Sequence, residues 1–275
     1  MKKVKIALIQ MGVIADKEAN LHKAKRMIEE ASEQGAQIVV LPEMFSTPYQ
    51  NDCFPEYAEV CPGYTTDFLS KIASENGIYL IGGSIPEKEY EKIFNTSFIF
   101  DKNGHILGRH RKMHLFDINI KNGIRFMESD TLSPGNEVTV CKTEYGTFGV
   151  AICFDMRFPE LMRLMVDEGA EMIFIPAAFN MTTGPAHWHS TAKMRAIDNQ
   201  VFFAVASPAR DEDASYVAYG HSVLYDPWGN VVEELTEKED ILYAEVNLED
   251  VAKYREQLPL LKARRHDIYE LKTVK

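Results

Sequence analysis

Short runs of consecutive apolar residues, "AQIVVLPE" (36–43), "EMIFIPAAF" (171–179) and "VFFAVASPA" (201–209), most constrain what this chain can become. They are far too short to cross a membrane. "AQIVVLPE", rich in β-branched residues, is long enough for a strand buried on both faces, as in α/β sheets. "KIALIQMG" (5–12) and "IYLIGGSIPE" (78–87) are further strand candidates. Helical spacing fills the gaps: Leu21, Ala24, Ile28 and Ala31 share one face, with Gly35 as the stop. "TTDFLSKIASENG" closes on Gly77, and "PELMRLMVDEGA" and "HWHSTAKMRAIDNQ" follow the same pattern. Three hairpins interleave with these units, turning at Asn103 and Gly104, near Tyr145 and Gly146, and from Pro227 to Asn230. The pattern predicts sheets packed together and covered by helices outside. No Pro/Ser-rich linker divides the chain, so all 275 residues read as one domain.

The remaining bulk properties narrow the partners. A net charge of −11 argues against phosphate-backbone binding, so nucleic acid is not expected. No window approaches 18 uninterrupted apolar residues, and Lys5 and Gln10 interrupt the N-terminal run that imitates a signal peptide, so no membrane association is expected. Cys53, Cys61, Cys141 and Cys153 lack CxxC spacing, which predicts free thiols in a reducing cytoplasm. From about residue 250 the chain is mostly polar with scattered apolar residues, a C-terminal extension suited to reach another subunit.

Three reactive side chains stand at predicted strand exits, where α/β folds gather their sites. Glu43 ends "IVVLPE", Lys112 follows "HILGRHR" and Cys153 ends "GVAIC", exposed at the strand end where it can be reached. A carboxylate, an amine and a thiol supply a base, an oxyanion stabiliser and a nucleophile without histidine. Taken singly, each has an ordinary alternative: a solvated carboxylate, a surface cation, an inert buried thiol. Of the eight histidines, only His187 and His189 form a dense pair, and without ligand-spaced partners they read as helix-start packing rather than a metal site. No metal and no cofactor is expected.

The motifs "LPEMF", "RKMHLFD" and "AICFDMRFPE" resemble, in order and spacing, the Glu, Lys and Cys motifs of the nitrilase superfamily of carbon–nitrogen hydrolases. The similarity runs from about Lys5 to about Tyr269. "FMESDTLSPG", "AAFNMTTGPAHWHSTAKMRAIDNQ", "ASPARDEDASYVAYGHS" and "RRHDIY" further resemble the omega-amidases, which hydrolyse the terminal amide of 2-oxo-dicarboxylic acid monoamides such as 2-oxoglutaramate and 2-oxosuccinamate.

That resemblance implies a four-layer α-β-β-α sandwich and homodimers or higher homo-oligomers. It makes Cys153 the nucleophile of a thioester pathway, Glu43 its base and Lys112 the stabiliser of the tetrahedral intermediate, aided by the backbone N–H of Phe154. A cation close to Cys153 lowers its pKa, and partial burial of Glu43 raises its own. Glu128 holds Lys112 and the substrate amide, and Arg157 grips a substrate carboxylate. Asp155 and Glu160 either orient that arginine or cap the helix beginning near Pro159. Phe116, Phe179 and Thr183 lie in pocket-lining stretches, while Tyr49 either closes the pocket or packs beneath it. The loop "DINIKNG" (117–123) departs from relatives and shapes the entrance. Other substrates of the same machinery would be a nitrile, an N-carbamoyl amine or an aliphatic amide; a non-catalytic scaffold is the remaining alternative.

Overall fold

In the computed structural model, which describes residues 3–121 and 125–274, the chain lays down one sheet, then a second. The first half begins with β1 (Lys3–Gln10), α1 (Lys17–Glu33) and β2 (Ile38–Val40). Asp16 caps α1 by accepting a hydrogen bond from the Ala19 N–H at 3.0 Å. α2 (Cys53–Tyr57) and α3 (Tyr64–Asn76) precede β3 (Tyr79–Ile81), and Gly77 ends α3 with φ 61°. β4 (Ile85–Glu89), β5 (Lys92–Phe100) and β6 (Ile106–Arg111) follow, and then a small ribbon of β7 (Asp117–Asn119) and β8 (Arg125–Met127).

The second half opens with β9 (Val140–Lys142) and β10 (Thr147–Val150), then α4 (Pro159–Asp167), β11 (Met172–Pro176), α5 (Gly184–Asn199) and β12 (Phe202–Ala206). β13 (Val223–Tyr225), β14 (Val231–Glu234), β15 (Asp240–Asn247) and α6 (Glu249–Gln257) complete it. The first, seven-stranded sheet runs β15-β1-β2-β3-β5-β4 with β6 also on β5; the second, six-stranded, runs β14-β13-β12-β11-β10-β9. β1-β2-β3 and β10-β11-β12 are parallel.

The layer order follows from which residues share a core. Ile6, Leu8, Val40 and Ile81 of the first sheet pack against Phe148, Phe174, Ala204 and Leu224 of the second. Their outer-face neighbours Ile9, Val39 and Leu80 meet Leu21, Ala24, Ile28 and Ile72 of α1 and α3. On the far side Ile173, Ile175 and Phe203 meet Met162, Met165, Trp188 and Ala192 of α4 and α5. The alternation along each strand therefore feeds two separate cores, giving the four-layer α-β-β-α sandwich.

All three expected hairpins form, at β5–β6, β9–β10 and β13–β14. Two elements differ from expectation. "IYLIGGSIPE" is not one strand: it breaks at Gly82 and Gly83, and its second part turns back as β4 to pair with β5. β15, unanticipated, pairs with the full length of β1 and brings the C-terminal quarter back to the first sheet. Beyond α6, Arg264 of the extension pairs with Asp167 of α4 at 2.5 Å.

Gly83 has a direct bearing on the site. Its φ is +57°, and an added Cβ would stand 2.2 Å from the Pro42 carbonyl oxygen, one residue before Glu43. Gly83→Ala should therefore lose at least about 1–2 kcal/mol of stability from the left-handed backbone alone, plus the clash. It should lower activity with it. Urea unfolding alongside an activity assay checks this; unchanged stability would mean the turn is not as constrained as its geometry indicates.

Candidate active site

Three strand exits from two sheets converge on one buried charge cluster. Glu43 leaves β2, Lys112 leaves β6 and Cys153 leaves β10 at the start of a 3-10 turn, Cys153–Arg157. The Lys112 ammonium, fully buried, lies 2.9 Å from Glu43 Oε1 and 2.9 Å from the Glu128 carboxylate. Glu43 Oε1 also accepts from Asn95 Nδ2 at 2.8 Å. The Tyr49 hydroxyl reaches Glu128 Oε1 at 2.6 Å and Glu43 Oε1 at 3.2 Å. Glu128 Oε2 accepts the Phe116 N–H at 2.6 Å, so this carboxylate also ties down the chain after Lys112.

Burial and charge act against each other here. Burial works against the Lys112 ammonium, but Glu128 and Glu43 outweigh it and hold its pKa above the ordinary lysine value. Burial raises the Glu43 pKa, with Lys112 opposing and Glu128 adding to the rise. Its second oxygen, Oε2, is buried without a hydrogen-bond partner.

Cys153 corrects two expectations. It is buried, 4% exposed, rather than open at a strand end. Its pKa is also raised, not lowered: burial and the Glu43 carboxylate outweigh the Lys112 cation and an Ala178 backbone contact. The backbone is held at φ 46°, a region costly for a residue with a Cβ, which aims the thiol off the end of the strand.

Access is through a cavity of about 180 Å³ lined by Phe116, Cys153, Phe154, Arg157, Ala178, Phe179, Thr183 and Tyr216. All the expected pocket residues except Tyr49 meet there. Tyr49 lies instead with Glu43 on a second cavity of about 500 Å³. The two share Ala178 and Tyr216 as a common wall. Tyr49 thus neither closes the pocket nor merely packs beneath it; its hydroxyl joins both carboxylates. Residues 122 and 123 of the loop "DINIKNG" lie outside the described residues.

Arg157 spreads over the rings of Phe179 (4.6 Å) and Phe154 (5.5 Å). Its Nη1 meets His187 Nδ1 at 3.1 Å, and its buried Nε has no hydrogen-bond partner. Among the described residues no carboxylate forms an ion pair with it. Asp155 does not orient it, contrary to one expectation. That carboxylate binds His110 Nε2 at 3.0 Å, His114 Nδ1 at 2.7 Å and the backbone N–H groups of His114 and Ile152. Nor does it cap α4, whose N-cap, Phe158, makes no side-chain bond; Glu160 stands exposed in the first turn. Asp155 instead locks the Lys112 exit to the Cys153 exit. His187 and His189 are not a pair either, since His189 turns away toward Tyr225.

Asn95, Asp155's bracing role and Tyr216 escaped the sequence reading. Each acts on a group some 40 to 60 positions away, and only the motif stretch "ASYVAYG" carried a signal, for Tyr216.

Burial alone would raise the Asp155 pKa, yet the two histidines and the Ile152 N–H hold it well below the ordinary aspartate range. A depressed pKa contributes stability above the unfolded value, about 3.9, and loses it as pH falls toward the folded one. Asp155→Asn should cost about 3–5 kcal/mol near neutral pH, with the gap to wild type narrowing from about pH 5 toward pH 2. Denaturant titrations across that range test it; a constant gap would deny the carboxylate its charged role.

Comparison with known proteins places these features in a family context. The model of the carbon–nitrogen hydrolase family matches residues 5–256. The omega-amidase NIT2 of Xenopus tropicalis is 50% identical over 275 residues, covering 100% of both chains. The omega-amidase NIT3 of Saccharomyces cerevisiae is 48% identical, covering 98% of this chain and 95% of that one. The crystal structure of Saccharomyces cerevisiae Nit3, a member of branch 10 of the nitrilase superfamily, superposes with a TM-score of 0.88 at 46% identity, over 96% and 97% of the two chains.

Proposed function

The chain belongs to the carbon–nitrogen hydrolase family, and from that membership we propose that it is an omega-amidase working through a Cys153 thioester. The substrate is a 2-oxo-dicarboxylic acid monoamide such as 2-oxoglutaramate or 2-oxosuccinamate. The observation that carries the reading is an arginine with no ion-paired carboxylate among the described residues, Arg157, set in the same small cavity as the Cys153 thiol. The cavity is narrow, with aromatic walls from Phe116, Phe154, Phe179 and Tyr216. It favours a short substrate with its charge opposite the scissile amide.

In this mechanism Cys153 Sγ attacks the amide carbon while its proton passes to Glu43, whose unpartnered Oε2 is the available acceptor. The raised pKa values of both groups keep that proton on the thiol until attack and make the carboxylate a competent base. The carbonyl oxygen becomes an oxyanion stabilised by the Lys112 ammonium and the Phe154 N–H. Collapse breaks the C–N bond, Glu43 returns the proton to nitrogen, and ammonia leaves. Water then gives a proton to Glu43 and attacks the thioester, releasing the dicarboxylate and restoring the thiol. Glu128 and Tyr49 hold Lys112 and Glu43 in place throughout.

The wider assignments belong to the same proposal. The whole chain is one hydrolase domain, and the chain assembles as a homodimer or larger homo-oligomer. Exposed Met194, Trp228, Leu258, Ile268 and Tyr269 on α5, the β13–β14 turn and the C-terminal extension support this. Four unpaired cysteines suit a reducing cytoplasm. Among the described residues no helix is long and apolar enough to cross a membrane.

Cys153→Ala should fold normally and release no ammonia above background, because it removes the bond-forming atom. Activity above a trace would end the covalent mechanism. Arg157→Ala should lower kcat/KM for 2-oxoglutaramate by about 10- to 100-fold, the range expected for a lost charged hydrogen bond. An uncharged amide of similar length should lose far less. Equal losses on both would move the carboxylate site elsewhere.

A further inference from the structure

Away from the catalytic cavity, α5 and the β13–β14 hairpin bring three ligand-type side chains together: His189, His221 and Glu234. Their donor atoms all lie within 4.8 Å of one another. His189 Nε2 is 3.5 Å from Glu234 Oε1, and His221 Nδ1 is 3.4 Å from the same oxygen. Tetrahedral zinc bonds of about 2.0–2.1 Å imply ligand–ligand edges of about 3.3–3.5 Å, which both separations match. The geometry points to a binding site for a divalent transition-metal ion of the Zn²⁺ class, held by these three atoms with its fourth position open to solvent.

Several independent features prepare the ligands. The Tyr225 hydroxyl lies 3.2 Å from His189 Nδ1, the outer-shell contact that fixes which ring nitrogen faces a metal. His221 Nδ1 is buried and makes no hydrogen bond. Its backbone is fixed from both sides, the N–H bound to the Thr236 carbonyl at 3.1 Å and its own carbonyl accepting Trp188 Nε1 at 2.7 Å. Tyr219 stacks on the ring at 4.4 Å. Two imidazoles and one carboxylate form a borderline donor set that suits Zn²⁺, Co²⁺ or Ni²⁺ and not Mg²⁺ or Ca²⁺.

The ion would be structural. Neither His189 nor Glu234 lines the Cys153 cavity, and the proposed chemistry has no step for it. It would pin α5 to the second sheet's edge hairpin, two residues from His187, the hydrogen-bond partner of Arg157.

Co²⁺ titration of chelator-treated Cys153→Ala protein, which removes the active-site thiol as a competing ligand, tests the site by visible absorption. The expected result is one Co²⁺ per chain with tetrahedral-type d–d bands, no thiolate charge-transfer band, and displacement by Zn²⁺. His221→Asn, chosen because asparagine tolerates the φ of 60° at this position, and Glu234→Gln at the half-exposed edge should each weaken binding by more than about 100-fold. Tyr225→Phe should weaken it by about 10- to 100-fold. Zn²⁺ should raise the melting temperature of the parent and not of Glu234→Gln. Absence of saturable binding, or equal affinity in parent and Glu234→Gln, would show an ordinary histidine–carboxylate cluster and overturn the proposal.

Discussion

One buried positive charge, the Lys112 ammonium, stands between two buried carboxylates, and the rest of the site is arranged around it. Burying any of the three alone would carry a large desolvation cost. Together they are mutually satisfied: Lys112 reaches Glu43 and Glu128, Asn95 and Tyr49 take up further carboxylate lone pairs, and the Phe116 N–H completes Glu128. The set retains one net negative charge. Burial lifts the pKa of both groups that face the cavity, Glu43 and Cys153, with Glu43 adding to the rise of Cys153, and Glu43 Oε2 is left without a hydrogen bond. The catalytic capacity proposed for the protein is that carboxylate oxygen beside a protonated thiol.

The cluster depends on two sheets holding register with one another. Glu43 and Lys112 come from the first sheet and Cys153 from the second, so face-to-face packing sets their separation. Asp155 strengthens the link at the critical place, joining His110 and the 113–114 backbone beyond β6 to the turn that begins at Cys153. A carboxylate two residues from Cys153 thus serves alignment, while Arg157, four residues on, lines the cavity. In "CFDMR" one charge holds the site together, and the other is the one proposed to select what enters it.

Much of this was legible beforehand because its signals are local. Apolar runs, helical spacing and turn residues at 103–104 and 145–146 each determine their own few residues. β15 was missed because "DILYAEVN" shows its strand character only through the long antiparallel pairing with β1, more than 230 positions away. That Glu43, Lys112 and Cys153 come together was legible because strand exits are readable and their motifs are specific. Their environment was not: exposure and pKa of Cys153 depend on what surrounds it, and Phe116, Ala178, Phe179 and Tyr216 come to it from elsewhere in the chain. The role of Tyr49 likewise needed Glu128, 79 positions on. His187 and His189, two positions apart, diverge because residues i and i+2 of a helix face different ways.

The central claim is that the thiol at the end of β10 becomes acylated while Glu43 handles its proton. Intact-mass and peptide mass spectrometry of enzyme quenched during turnover of 2-oxoglutaramate measures this directly, with Glu43→Gln as the comparison. The account predicts a mass gain equal to substrate minus ammonia, carried by the peptide containing Cys153 and absent after turnover is complete. In Glu43→Gln turnover should stop, and any adduct that forms should persist, since no base remains to activate water. Hydrolysis at the wild-type rate in Glu43→Gln, or an adduct on any residue other than Cys153, would contradict it.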